Sequence, residues 1–428
     1  TMIQLRKPRA RRSPKPSLWR FPVACMVAAL LMAPLVRWID DQTRWTLMGF
    51  GIEGARAVLG ALSSSLLTFF VFAFSILLLA VQIATGLLTP RIMNRLLEDR
   101  LTRATVGTIA FAWVYALAAL GRIEDRVPQL PVLLGIVVSL LSVGLFLHLV
   151  QSAIQNMRPV TILTGLARDT LAVIDAVYPD RFSSDSGKHA ALEPHQEAAC
   201  RTLRHQGTAS AVLAFDIARL VDVATRADCR IEIVPQVGDF ISPGDDLFRL
   251  GGPGADAVGE SELRQCVWFG PERTLEQDPA FGFRVIVDIA SKALSPAIND
   301  PTTGVLAIDQ LHHLLGVLGE RQLDTGVVRD AAGRTRLVYR TPDWEDFVTL
   351  AATEIRHFGA TSAQVTRRLQ AMFDHLLRTV PAERREAIAT QASLLQQTIE
   401  GAYANPQDRI LALRGDTQGI GSRQPGRG

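Results

Sequence analysis

Apolar residues are concentrated in four stretches within the first 155 positions of this 428-residue chain. The second stretch, residues 61–88, contains no charged side chain, and the fourth, residues 130–150, contains a single ionisable group, His148. A helix needs about 20 apolar residues to cross a hydrocarbon core of ~30 Å. The pattern therefore predicts four transmembrane helices, at about residues 21–38, 61–89, 104–120 and 130–154.

The first predicted span is short, contains Pro22 and Pro34, and follows a basic arm at residues 1–20. A basic arm followed by a short apolar run is also typical of a secretory signal peptide. No small-residue cleavage site follows, because Trp38 and Asp40 stand there instead. We therefore interpret residues 21–157 as a membrane domain that retains its first helix.

Basic residues divide unevenly between the two ends of the predicted spans. Twelve lie on the side of the basic arm and five on the other side. Cytoplasmic flanks carry the excess of Lys and Arg in membrane proteins. The N-terminus, the loop between the second and third spans, and the C-terminal part are therefore expected in the cytoplasm.

From Thr161 the composition changes to that of a soluble domain, with strand-like runs followed by helical periodicity from residue 283. We assign residues 158–405 to a cytoplasmic α+β domain with C-terminal helices, and glycine-rich residues 406–428 to a disordered tail. Residues 237–247 resemble the hairpin of barrel-sandwich domains, which predicts a small β portion of that kind. No lysine follows it in the strand-rich part, so no attached cofactor is expected.

Charge and cysteine usage narrow the classes further. The net charge is +3, and residues 1–20 alone hold seven basic residues and no acid, so the rest is slightly negative. A body that binds nucleic acid is therefore not expected. The four cysteines are scattered without metal-ligand spacing, which argues against a disulfide framework and against a metal site.

A polar stripe follows the second span, with Thr68, Ser75, Gln82 and Thr89 spaced seven residues apart. A seven-residue step drifts by only ~20° around a helix, so these side chains share one face. Such a face either lines a water-filled path or packs against a neighbouring helix. Both interpretations stay open on the sequence alone.

The densest polar stretch of the soluble part includes six residues that we expect to meet where the strands join the helices. They are Arg273, Asp278, Asp288, Lys292, Asn299 and Asp300. Ser295 and Pro296 should end one helix, and Asp300 should cap the next with Pro301 at its first position. The six are either a buried ion-pair scaffold or a ligand site.

Enzyme signatures are absent from the sequence. There is no phosphate-binding loop, no nucleophile elbow, no HExxH zinc motif and no dinucleotide fingerprint. His312 and His313 occupy adjacent helical positions and are not expected to share a face. We therefore expect no enzymatic activity.

Several motifs resemble the bacterial membrane proteins of domain-of-unknown-function family 2254. They are Phe74-Ser75, Gln82, Pro90-Arg91, Gly238-Asp239-Phe240, Arg273-Thr274, Gln277-Asp278-Pro279, Asp288-Ile289-Ala290 and Ala293-Leu294-Ser295-Pro296-Ala297-Ile298-Asn299-Asp300-Pro301-Thr302-Thr303. The resemblance covers roughly residues 20–405 and implies a multi-pass protein of the bacterial inner membrane with a cytoplasmic domain. It implies no activity.

Two functional hypotheses follow. In the first, the protein is a homo-oligomeric channel or transporter in the lipid bilayer, with a cytoplasmic regulatory domain. In the second, it is a membrane-anchored scaffold or sensor whose polar stripe only packs helices.

Overall fold

The computed structural model describes residues 20–43, 51–87, 100–123, 127–156, 158–183 and 201–419. Residues 1–19 of the basic arm and Thr89 lie outside these ranges. Contacts divide the chain into two compact units, which meet in sequence between Thr161 and Ile162.

The N-terminal unit consists of four long helices. They are α1 (Arg20–Thr43), α2 (Ile52–Leu87), α3 (Arg100–Leu120) and α4 (Gln129–Asn156). All four are long and apolar enough to cross a membrane, which confirms the prediction of four apolar helices. Helix α1 is longer than predicted, with 24 residues, and continues through Pro34.

Small side chains bring α1 and α3 close together. Ala29 and Ala33 of α1 are buried, and a Cβ on Gly107 of α3 would lie 2.5 Å from the Phe21 ring. Helices in lipid associate through such close packing, because lipid offers no hydrophobic driving force between them. At the end of α1, the buried Asp40 accepts a hydrogen bond of 2.9 Å from the backbone N–H of Leu130.

The C-terminal unit contains eight strands in two sheets within the described residues. Its helices and strands are α5 (Pro159–Val177), β1 (Arg201–Arg204), β2 (Ser210–Phe215), α6 (Ile217–Arg226), β3 (Arg230–Ile233), β4 (Phe240–Ile241), β5 (Asp246–Gly251), α7 (Glu260–Arg264), β6 (Val267–Gly270), α8 (Pro279–Ala293), α9 (Pro301–Gly319), β7 (Val327–Arg329), β8 (Thr335–Tyr339), α10 (Trp344–Phe358), α11 (Ala363–Thr379), α12 (Arg385–Ala402) and α13 (Pro406–Ala412).

The larger sheet has the order β1-β5-β3-β8-β7 and the smaller one β4-β2-β6. All pairs are antiparallel except β3 with β8. The apolar side chains of these strands and of α6 form one core, in which Leu220, Ile231 and Phe248 are completely buried. An α+β unit with C-terminal helices is therefore confirmed.

The segment at residues 237–247 does not form the expected hairpin. Strand β4 pairs with β2 in the smaller sheet, whereas β5 pairs with β1 and β3 in the larger one. Gly238 and Gly244 have φ angles of 95° and 96°, so both glycines are used at turns. The segment carries the chain from one sheet to the other.

Helix α8 is the centre of the helical half, because eleven of its residues are buried. Its N-cap is Asp278, whose side chain accepts from the backbone N–H of Phe281. The N-cap of α9 is Asp300, with Pro301 at the first position as the sequence predicted. Helix α8 packs against α9 and α10, and α11 packs against α9 and α12.

Residues 406–419 are not a disordered tail. Pro406–Ala412 forms α13, and the chain beyond it docks on α11. Asp416 is fully buried and lies 3.8 Å from the guanidinium of the equally buried Arg367. The glycines suggested disorder, but the buried partner of Asp416 could not be read from composition. Residues 420–428 lie outside the described residues.

Candidate functional sites

The polar stripe on α2 lies on a face that the other described helices leave uncovered. Thr68, Ser75 and Gln82 are all exposed, and apolar side chains such as Val71 and Leu78 are exposed beside them. The Thr68 hydroxyl donates to the carbonyl of Ser64 at 3.1 Å, and the Ser75 hydroxyl donates to that of Val71 at 2.9 Å. These two hydroxyls are therefore satisfied by their own helix.

The six clustered residues of the soluble part do not meet in one place. Arg273 and Asp278 lie at the start of α8, whereas Asn299 and Asp300 lie beyond its end. A helix of 15 residues is about 22 Å long at ~1.5 Å per residue. Periodicity placed these residues near helix ends, but it did not show that one helix separates them.

The residues at the far end of α8 serve the turn into α9. The Asp300 carboxylate accepts from the backbone N–H of Thr303 at 3.1 Å and from its hydroxyl at 2.6 Å. Asn299 adopts a φ of 50°, a conformation that Asn tolerates better than most residues. Lys292 lies in the last turn of α8. The geometry of Asn299 and Asp300 is accounted for by capping.

Asp288 belongs to a separate ion-pair network in the middle of α8. Its carboxylate accepts from Arg284 Nε at 2.6 Å, and the same guanidinium donates to Glu354 of α10 at 2.7 Å. These side chains are partly exposed. The network joins α8 to α10.

Arg273 and Asp278 form the most buried ion pair among the predicted residues. Asp278 is only 4% exposed and accepts from Arg273 Nε at 2.8 Å and Nη2 at 2.7 Å. Burial raises the pKa of the Asp278 carboxyl, and the neighbouring Arg273 opposes that shift. A Cβ on Gly238 would lie 2.3 Å from Arg273 Nε, so only glycine leaves room for this guanidinium.

A cavity of about 70 Å³ lies beside this pair, within the C-terminal unit. Among the residues that line it are Gln277, Asp278, Asp324, Tyr178 and Tyr339. The Tyr339 hydroxyl contacts the Asp324 carboxylate. The Gln277 side-chain nitrogen is buried and has no hydrogen-bond partner in the described part of the chain. The cavity can hold a few water molecules or a very small polar molecule.

A larger groove, of about 440 Å³, lies between α9 and α11. His312, His313 and His375 all line it, with Arg181, Arg321, Glu320 and Asp309. The expectation that His312 and His313 could not share a face is wrong here, since adjacent residues lie about 100° apart and a wide groove admits both. No local pattern in the sequence places His375 beside His312.

Hydrogen bonds fix the order of the side chains on one side of this groove. Arg368 pairs with Asp309 at 2.6 Å and donates to His312 Nδ1 at 2.9 Å. His312 Nε2 lies 2.9 Å from His375 Nδ1. Burial, and then the charge of Arg368, lowers the pKa of His312 to about 4. No group of three His, Cys, Asp or Glu among the described residues could hold a metal ion.

Four helices able to span a membrane, followed by an α+β unit, define a polytopic membrane protein. The chain belongs to the family of predicted membrane proteins called DUF2254, whose profile matches residues 15–375. Uncharacterized proteins of Mycobacterium bovis and Mycobacterium tuberculosis are each 28% identical over 382 residues, which is 86% of this chain and 72% of theirs. No solved structure matches the chain.

Proposed function

We propose that the protein is a homo-oligomeric channel or transporter of the bacterial inner membrane whose subunits meet along α2. The exposed position of Thr68, Ser75 and Gln82 carries this proposal, because polar side chains at membrane depth favour a surface other than lipid. The two sheets, as a small barrel-sandwich-like portion, and the C-terminal helices would act as a regulatory domain. Neither an enzymatic activity nor a nucleic-acid partner is part of the proposal.

Packing inside the four-helix unit supports a path between copies rather than through one copy. Leu59 of α2 and Tyr115 of α3 are completely buried at its centre, together with Ala29 and Ala33 of α1. Such close packing leaves the uncovered face of α2 as the polar surface on which a path could form.

A scaffold or sensor without transport is the alternative, and one observation favours it. The hydroxyls of Thr68 and Ser75 already donate to carbonyls of their own helix, so they tolerate lipid or a dry helix interface. The neighbouring Leu67, Val71 and Phe74 are exposed and apolar, as a lipid-facing or packed surface requires.

Transport by the purified protein in liposomes separates the two functions. A channel or transporter should pass ions or small solutes, and Gln82→Glu should change the rate or the selectivity. Gln151→Glu is the matched control, because Gln151 is an exposed glutamine on α4. Absence of any flux, combined with loss of assembly in Gln82→Glu, would favour the scaffold.

The orientation is part of the proposal and has its own test. Twelve basic residues flank the spans on the side of both termini and five on the other. Reporter fusions after Gly121 and after Gly428 should report the periplasm and the cytoplasm, respectively. A periplasmic signal from the second fusion would reverse the orientation.

A further inference from the structure

The groove between α9 and α11 has the size of a ligand site, and most of the residues that line it are charged or histidine. Its volume of about 440 Å³ falls within the ~300–1,000 Å³ that small-molecule pockets occupy. We call it the His-Arg groove and define it by His312, His313, His375, Arg181, Arg321 and Glu320, all of which line it.

The hydrogen-bond chain on one side of the groove fixes which ring nitrogens carry protons. A guanidinium can only donate, so His312 Nδ1 must accept from Arg368, and its proton lies on Nε2. That proton is donated to His375 Nδ1, 2.9 Å away. His375 is therefore left with an N–H at Nε2 as its remaining polar group.

Two of the charged groups at the groove already have partners. Asp309 pairs with Arg368, and Arg321 donates to Asp175 at 2.5 Å and to the carbonyl of Pro179 at 3.0 Å. The Arg181 side chain is exposed and forms no ion pair with another described residue. Glu320 is the one lining carboxylate that has no ion pair in the described ranges.

We propose that the His-Arg groove binds a small phosphate-type anion. Arg181, Arg321, His313 and His375 offer nitrogen donors from separate segments of the chain, whereas Glu320 is the one unpaired acceptor charge. Phosphate oxygens accept charge-assisted hydrogen bonds from several directions, which suits donors arranged around a groove. This inference concerns the soluble unit and does not depend on whether the membrane unit conducts.

The anion is favoured over a transition-metal ion by the tautomer of His312. A metal-bound histidine normally donates its other ring N–H to an acceptor. His312 instead accepts at Nδ1 from Arg368, which places its proton on the nitrogen that faces His375. A metal would have to displace that proton beside a fixed positive charge.

Pyrophosphate binding to the full-length protein in nanodiscs of neutral phosphatidylcholine tests the inference by calorimetry. Pyrophosphate should bind, and Arg181→Ala should weaken binding about tenfold, the effect of losing one charged hydrogen bond. Arg204→Ala is the matched control, since Arg204 is an exposed arginine on strand β1. Glu320→Gln should tighten binding.

The outcomes separate the ligand sources and the alternatives. Loss of pyrophosphate binding in phosphatidylglycerol nanodiscs would identify a lipid headgroup as the anion, and Arg181→Ala should not restore binding there. Unchanged binding in those nanodiscs would identify a soluble anion. No binding of pyrophosphate, or equal weakening by Arg204→Ala, would overturn the proposal. Zinc binding that persists in Arg181→Ala, without any pyrophosphate binding, would replace it with a metal site.

Discussion

The two units of this protein treat buried polar groups in different ways. In the four-helix unit, buried polar side chains bond to backbone, as Ser139 does within α4 and Asp40 does at the start of α4. In the C-terminal unit, arginines are buried and reach distant segments, as Arg336 does to Asp228 and Arg367 does to Asp416. The first unit is therefore specified by close packing, and the second also by ion pairs between distant segments.

Arg384 is a further buried arginine of the C-terminal unit. Its guanidinium lies 4.7 Å from the Phe182 ring and 5.1 Å from the Trp344 ring, and donates to the carbonyls of Leu318 and Arg321 at 2.7 Å and 2.6 Å. Burial lowers the pKa of Arg384 to about 10. The carbonyls at the C-terminal end of α9 thus stabilise the buried guanidinium, because a helix C-terminus carries partial negative charge.

Arg367→Ala should give the largest loss of stability. Arg367 and Asp416 are both almost fully buried, and Arg367 also donates to the carbonyl of Arg414 at 3.1 Å. Arg367→Ala removes the guanidinium beside the buried Asp416 carboxylate, so the free energy of unfolding should fall by about 3–5 kcal/mol. Chemical denaturation of the detergent-solubilised protein measures this.

Two variants control that experiment. Arg226→Ala removes an exposed arginine that pairs with Asp222 at 3.1 Å and with Glu262 at 2.7 Å. It should lower stability far less than Arg367→Ala, because exposed ion pairs contribute little. A chain that ends at Leu413 lacks Asp416 and should lose about as much stability as Arg367→Ala. If that shorter chain is as stable as the full one, the docked segment at residues 414–419 does not stabilise the unit.

The sequence could predict the four spans because the bilayer requires a long apolar run for each helix. It could also predict the cap at Asp300, since capping depends on neighbours along the chain. It could not place His375 beside His312, or Asp416 beside Arg367, because those contacts join residues that share no local pattern. The expected meeting of Arg273 with Asp300 failed for the same reason.

Arg273→Ala should have the next largest effect, and it should depend on pH. The raised pKa of Asp278 means that the folded protein holds the carboxyl proton more tightly than the unfolded chain does. Stability therefore falls as the pH rises from the pKa of Asp278 in the unfolded chain to its pKa in the folded protein. Without Arg273 that pKa rises further. The loss should approach about 3 kcal/mol near neutral pH and shrink at lower pH, where Asp278 is protonated in the folded protein.

Asp278→Asn in the Arg273→Ala background is the control for that pH dependence. Asn removes the titrating carboxyl but still accepts a hydrogen bond as an N-cap residue. The free energy of unfolding of the double variant should therefore change with pH no more than that of the single variant Asp278→Asn. A pH dependence that persists in the double variant would assign it to another group.

Gly107→Val should have the smallest of the three effects, and it examines the four-helix unit directly. A Cβ at Gly107 would lie 2.5 Å from Phe21 and 3.0 Å from the Cys25 sulfur, so α1 and α3 must move apart, at a cost of about 1–3 kcal/mol. Gly144→Val on α4 is matched, because no atom lies within 4 Å of the Cβ built there. Thermal unfolding in detergent should separate the two variants. Equal destabilisation by Gly144→Val would mean that a second copy covers the open face of α4, and would move the interface between subunits away from α2.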